Sequence, residues 1–132
     1  MIGLLDTHSL LWAIVAPEHL SARMRAVIAD PANEIHASTV SFWEISLKFS
    51  LGKLQMSGCS PEDLVASVKH MRLNIAAPTA EESAGFHHLP KLTHKDPFDR
   101  LLIWQCLQRQ WILITRDRGL TEYAALGLQT AW

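Results

Sequence analysis

The sequence predicts an α/β domain, a three-layer sandwich in which a short parallel sheet is flanked by helices. Short apolar runs of strand length alternate with helical patterns along the whole chain, which is typical of βαβ units. The chain has 132 residues, of which 48% are hydrophobic, and no repeat or linker divides it. We therefore expect one domain over residues 1–132, with a core large enough to fold by itself.

Five runs fit the strands of this sheet. Each is short and rich in apolar or β-branched residues, and the first ends directly at Asp6. Periodicity alone does not give their order in the sheet. The predicted strands cover residues 1–5, 34–37, 73–76, 111–115 and, as an edge strand, 126–130.

Six segments have helical spacing of apolar residues or helix-start signals. Ser41 and Glu44 have the spacing of a capping box, which predicts that the third helix begins at Ser41. Pro61 and Pro97 each fit the first position of a helix. The predicted helices cover residues 7–15, 21–29 and 41–50, with further helices starting at 61, near 79–81, and at 96–97.

Four acidic residues stand where a predicted strand or loop passes into a helix: Asp6, Glu44, Asp99 and Asp117. Their surroundings are apolar, and acidic side chains avoid such surroundings unless their charge is offset. The carboxyl ends of parallel strands share one edge of a sheet, so residues far apart in sequence can meet there. A group of acids without matching bases is what a hard cation such as Mg²⁺ requires.

Each of these acids also has a purely structural explanation. Asp6 and Asp96 fit helix N-caps, Glu44 a capping box, Asp99 the third position of its helix, and Asp117 a turn. A helix dipole stabilises each charge by only about 1 kcal/mol or less. Four carboxylates in one partly buried cleft would repel one another by more than that. A divalent ion would remove the conflict, and we therefore favour metal binding over capping alone.

This interpretation gives each candidate residue a role. Asp6 and Asp99 are expected to bind Mg²⁺ or Mn²⁺ directly, and Glu44 and Asp117 to complete a second position or orient water. Asp96 caps its helix, binds the metal through water, or does both. Three neighbouring hydroxyl residues could fix carboxylates or water: Thr7, Ser41 and Thr115. Three basic residues could bind substrate phosphates: Lys95, Arg100 and Arg116.

Charge and targeting signals narrow the class of protein. The net charge is -1, so no global basic field indicates a nucleic-acid binder, although six of the twelve Lys and Arg lie between Lys91 and Arg118. The apolar N-terminal run lacks a basic leader and contains Asp6, which is not typical of a signal peptide. No run reaches the roughly 18 to 20 apolar residues of a membrane helix. We expect a soluble, cytoplasmic protein.

Several segments resemble the PIN-domain family, specifically the VapC-type ribonuclease toxins of bacterial toxin–antitoxin pairs. They are LLDTHSLLW (4–12), STVSFWEISLK (38–48), GKL (52–54), HKDPFDRLLI (94–103) and LITRD (113–117), in the family's order. The resemblance implies a parallel sheet with an acidic pocket for Mg²⁺ or Mn²⁺, RNA cleavage, homodimerisation, and neutralisation by an antitoxin. By motif position, the family's acids fall on Asp6, Glu44, Asp99 and Asp117, with Asp96 an additional acid.

Two other classes of protein fit parts of the pattern. A receiver-like signalling domain also gathers acids around Mg²⁺ at strand ends, but it needs paired acids early and a Lys late. Here only Asp6 is early, and no Lys follows Lys95. A catalytically silent RNA- or protein-binding domain would use the acids only as caps, and its RNA binding would be unaffected by a chelator.

Overall fold

The computed structural model, which describes residues 1–132, contains one five-stranded sheet in which all strands are parallel. Its order is β3-β2-β1-β4-β5. The predicted α/β class with a parallel sheet is thus confirmed. The strands are β1 (Ile2–Leu5), β2 (Glu34–Ser38), β3 (Asn74–Ala76), β4 (Ile112–Ile114) and β5 (Gln129–Ala131).

Six α-helices connect the strands and cover both faces of the sheet. No helix combines the length and the apolar character needed to span a bilayer. The helices are α1 (Thr7–Val15), α2 (Ala22–Ala29), α3 (Thr39–Ser50), α4 (Pro61–His70), α5 (Ala80–Gly85) and α6 (Pro97–Arg109).

Most predicted helix starts are confirmed, and one is wrong. Pro61 and Pro97 occupy first helical positions, behind the N-caps Ser60 and Asp96. The third helix, however, begins at Thr39 rather than Ser41, because the Ser38 hydroxyl at the end of β2 already accepts a hydrogen bond from the Val40 N–H. The helix therefore starts without a turn after the strand, and its second turn carries Glu44.

Two hydrophobic clusters lie on opposite faces of the sheet, and alternate residues of the central strands separate them. On β1, Leu5 faces the cluster made with α1 to α4, and Leu4 faces the cluster made with α6. On β4, Ile114 and Leu113 divide in the same way. This period of two, with both faces covered by helices, explains why these strands read as continuous apolar runs.

Gly3 in the middle of β1 leaves space that side chains of the two neighbouring strands fill. A β-carbon at this position would lie 3.1 Å from Ile114 Cδ1 and 3.4 Å from Ile35 Cδ1. The first distance is tighter than ordinary contact, so a larger residue would displace the side chains of both neighbouring strands.

The predicted last strand begins about three residues too early. Arg118–Leu126 forms 3₁₀ turns, and Gly127 follows in the left-handed region with φ 100°. Only after this glycine does the chain extend into β5, so Leu126 lies outside the strand.

The order of the strands reverses direction at β1. The chain moves from β1 outward through β2 to β3, then returns to pair β4 on the other side of β1. A crevice opens outside the carboxyl ends of β1 and β4 at such a switch point, and ligands of open α/β sheets bind there. Asp6 directly follows β1, and Thr115, Arg116 and Asp117 follow β4.

Candidate active site

Three of the four predicted acids line one cavity in this crevice. The cavity has a volume of about 260 Å³, and Asp6, Asp99 and Asp117 reach it from three separate segments of the chain. Its remaining walls are mainly apolar, with His8 and Thr115 as polar exceptions. The structure thus brings these carboxylates together, as the sequence interpretation required.

Asp6 is held by both the sheet and the helix that follows it. Its backbone N–H donates to the Ile114 carbonyl at 3.0 Å, which extends the pairing of β1 with β4 by one residue. Its Oδ1 accepts from the Ser9 N–H at 2.8 Å and caps α1. The second carboxylate oxygen is not needed for the cap. Capping and a place in the cavity are therefore compatible for this residue.

Asp99 lies in the first turn of α6 and does not cap it. Asp96 is the cap, with Oδ1 accepting from the N–H groups of Phe98 at 2.9 Å and Asp99 at 3.1 Å. The Asp99 Oδ2 instead lies 2.8 Å from His94 Nε2. Burial raises the pKa of the Asp99 carboxyl, as do the charges of Asp96 and Glu44, while the His94 hydrogen bond opposes the shift. Negative charge is therefore incompletely offset here.

Asp117 is positioned by the short turn after β4. Its backbone N–H donates to Thr115 Oγ1 at 3.0 Å, and its Oδ1 accepts from the Gly119 N–H at 2.7 Å. Its Oδ2 lies 3.8 Å from His94 Nδ1. The Asp117 side chain is 44% exposed, compared with 36% for Asp99. The cavity thus opens to solvent beside Asp117.

Glu44 lies next to the cavity but is not part of its wall. It is only 3% exposed, and its side chain points inward from the second turn of α3. The Thr7 hydroxyl donates to its Oε1 at 2.6 Å and lies 3.1 Å from the Ser41 hydroxyl. Lys48 Nζ donates to Oε2. The capping-box explanation for Glu44 is wrong, because Ser38 and not Ser41 caps this helix.

Two side chains of the site were not among the predicted residues. Lys48 lies one helical turn after Glu44, and the hydrogen bond to Glu44 raises the pKa of its ammonium group, with Asp96 and Asp99 adding to the effect. The i,i+4 spacing of acid and base on a predicted helix was a usable signal for this pair. His94 contacts Asp99 and Asp117 from an irregular segment before α6. Residue spacing in such a segment does not predict which side chains will meet.

The predicted basic residues divide between the site and other parts of the fold. Arg116 is exposed next to the cavity, with its guanidinium carbon 5.8 Å from the centre of the Trp12 ring. Arg100 donates to the carbonyls of Leu89 and Pro90 at 3.1 Å, so its contacts fix that loop rather than face the aspartates. Lys95 is exposed and makes no ion pair.

The donor chemistry of this cavity suits a hard divalent cation. Aspartate oxygens from three segments converge, and Thr115 adds a hydroxyl to the same wall. As placed, the side chains do not form a group of three or more acidic, His or Cys residues that could hold one ion. The carboxylates instead use some of their oxygens for caps and for contacts with His94 and Lys48.

These features define a doubly wound α/β domain with a carboxylate cavity at its topological switch point. The family model of the PIN domain matches residues 3–126, and the chain belongs to the PIN-domain family. The fold and the resemblance of the sequence motifs therefore agree.

Similarity to characterised proteins extends over nearly the whole chain. The chain is 26% identical over 129 residues to Ribonuclease VapC22 of Mycobacterium tuberculosis, covering 98% of this chain and 97% of that protein. Its fold resembles VapBC2 from Rickettsia felis bound to a promoter DNA fragment, with TM-score 0.67, 18% identity, and 99% and 98% of the two chains covered. DNA-bound VapBC from Salmonella typhimurium gives TM-score 0.63, 18% identity, and coverage of 99% and 97%.

Proposed function

We propose that this protein is a VapC-type, Mg²⁺- or Mn²⁺-dependent endoribonuclease and the toxin of a type II toxin–antitoxin pair. The observation that carries the proposal is the convergence of Asp6, Asp99 and Asp117 on one cavity at the switch point of the sheet. The similarity to Ribonuclease VapC22 supports RNA as the substrate. Membership of the PIN-domain family argues against a receiver-like signalling domain.

The residues of the chain divide the work of such a reaction. Asp6, Asp99 and Asp117 would hold one or two divalent cations, with Glu44 completing the set and Asp96 fixing the first turn of α6. Thr115 holds the backbone of Asp117, Thr7 orients Glu44, and Ser41 contacts the Thr7 hydroxyl. These contacts limit the freedom of each carboxylate before any substrate arrives. A bound cation would supply positive charge near the phosphoryl oxygens and would acidify water.

The basic residues near the cavity would meet the substrate. Arg116 is exposed beside Asp117, and Lys95 is exposed one residue before the cap of α6. Both can approach a phosphate without breaking an internal ion pair. We assign Arg100 to the support of residues 89–90, because its guanidinium already donates to both carbonyls. Substrate binding is therefore proposed for Arg116 and Lys95 in preference to Arg100.

The same proposal includes protein partners: a second copy of this chain and an antitoxin encoded with it. Three large apolar side chains of α3 and its C-cap, Trp43, Leu47 and Leu51, are 64%, 39% and 58% exposed and follow each other at i, i+4 and i+8. Such a stripe on an exposed helix is typical of a protein–protein contact. The VapBC complexes among the structural relatives support this assignment.

The test incubates the purified protein with mixed cellular RNA in Mn²⁺ or in EDTA, beside the variant Asp99→Asn. We expect cleavage only with the wild-type protein and the metal. Glu81→Gln removes an exposed acid that does not line the cavity and serves as the matched control, with full activity expected. RNA that binds equally well in EDTA and is never cut would indicate a silent binding domain instead.

A further inference from the structure

A second and larger cavity adjoins the acidic one, and its charged lining residues are mainly basic. Its volume is about 870 Å³, within the range of specific ligand sites, and arginines 23, 116 and 118 line it together with Trp132. We call this cavity the arginine groove. It shares Thr115, Asp117 and Leu120 with the wall of the acidic cavity. A chain-like ligand can therefore occupy both cavities without leaving the surface.

The arginines of the groove have no counter-charge within the fold. No ion pair of the structure includes Arg23, Arg116 or Arg118. By contrast, Arg109 is paired with Glu82. Asp117 is the one acid of the groove, and its Oδ1 already accepts from Gly119. Three unpaired guanidinium groups around one cavity are a site for a polyanion.

An aromatic residue forms part of the same wall. Trp132 is half-buried and contacts the Trp12 ring edge to face, with the two centres 5.8 Å apart. His19 stacks on Trp12, and the Arg116 guanidinium lies over that ring as well. The Trp12 contact holds the indole of Trp132 at the wall of the groove. A fixed aromatic beside cationic side chains is the combination that binds unpaired nucleobases and their phosphates.

We infer that the arginine groove is the binding site for the single-stranded RNA that flanks the cleaved bond, with a nucleobase against Trp132 and phosphates on Arg23, Arg116 and Arg118. This inference rests on the proposed ribonuclease function and names the path of its substrate. Paired RNA keeps its bases stacked inside the helix, so a base against Trp132 requires a single strand. An acidic protein segment would satisfy the arginines but would leave the indole without a role.

The experiment measures binding of a fluorescent single-stranded RNA of about 12 nucleotides by polarisation, in EDTA and in the Asp99→Asn background, so that the probe stays intact. Arg23→Ala and Arg118→Ala are expected to weaken binding several-fold and to reduce the salt slope by about 0.7 each. Arg25→Ala is the matched control, because Arg25 is exposed on the same helix but does not line the groove. Equal behaviour of all three variants would overturn the inference.

The aromatic contribution is tested separately. Trp132→Leu should weaken RNA binding roughly tenfold, while Trp132→Phe should stay within about threefold, because it keeps a stacking face. The melting temperature of each variant confirms that it is folded. Equal loss in both variants, or none in either, would contradict stacking.

A polyglutamate peptide supplies the other class of polyanion. If the wild-type protein binds the peptide as tightly as the RNA and Trp132→Leu weakens neither, the groove takes an acidic protein segment and the RNA assignment is wrong. Cleavage is measured in parallel with Mn²⁺ and Asp99 present. Absent cleavage together with intact groove effects would overturn the ribonuclease function alone.

Discussion

The acids at the switch point and Glu82 on α5 differ in whether the fold supplies their counter-charge. Arg109 donates to both oxygens of Glu82, from Nε at 2.8 Å and from Nη2 at 2.7 Å, and this contact lowers the pKa of Glu82. Arg109 is in turn held over the Trp111 ring. The charge of Glu82 is thus balanced within the fold by the guanidinium of Arg109.

The acids of the cavity are in the reverse situation. Burial raises the pKa of Asp99 even though His94 contacts it. Lys48 is directed to Glu44, which leaves the aspartates with the partial help of one histidine. Under the proposed function, a bound cation would bring the positive charge that the fold does not supply to these aspartates.

The largest effect that separates the two regions is expected in catalysis. Asp6→Asn should reduce Mn²⁺-dependent RNA cleavage roughly 100-fold or more, because one site charge is lost while the amide can still cap α1. Glu82→Gln should change the cleavage rate of the folded protein less than twofold. Initial rates on one RNA probe give both numbers. Comparable losses in the two variants would show that the cavity has no special role.

Thermal stability, unlike cleavage, should depend on Glu82. Glu82→Gln removes a charged, bidentate contact from a mostly buried side chain, so we expect a loss of about 1–2 kcal/mol. For a chain of this length that corresponds to a fall in Tm of about 4 to 7 °C. Glu81→Gln on the same helical turn is the control, and its Tm should hardly change. The stabilisation by Glu82 is complete above pH 4.5 and is lost as the pH falls through its lowered pKa.

Removal of the Asp99 charge is expected to raise the Tm, by less than removal of the Glu82 charge lowers it. Because its folded pKa is raised above 3.8, ionisation of Asp99 costs stability as the pH rises through the raised value. Asp99→Asn should therefore raise the Tm of the metal-free protein at pH 7, by about 1 to 3 °C. The gain should disappear when the pH is lowered below 3.8, where both forms are uncharged. Scanning calorimetry in EDTA at several pH values measures this change, and a lower Tm of the variant at pH 7 would contradict the crowding of negative charge around Asp99.

The sequence predicted the parallel sheet, both helical layers and the convergence of four acids, of which three line the cavity and Glu44 does not. These follow from local signals: apolar runs that end at an acid, and prolines behind cap residues. Asp6 and Asp117 were found because strand ends meet at one edge of a parallel sheet. The start of α6 follows instead from the cap Asp96 and the proline after it, and because Asp96 is the cap, the Asp99 side chain is left for the cavity.

The errors and omissions arose where tertiary contacts decide. The start of α3 was placed late because Ser38 serves both as the last strand residue and as the cap, which the capping-box spacing of Ser41 concealed. The order of the strands, the approach of His94, and the meeting of Arg23 with Trp132 depend on contacts between segments far apart in sequence. No local pattern encodes such distances.

The central claim is that Asp6, Asp99 and Asp117 share a divalent cation, and Mn²⁺ binding measured by electron paramagnetic resonance of the free ion tests it without substrate. The wild-type protein and Glu82→Gln should bind Mn²⁺ with the same affinity, and Asp6→Asn, Asp99→Asn and Asp117→Asn should each weaken it roughly tenfold or more. Unchanged affinity in all three aspartate variants would contradict a shared metal site.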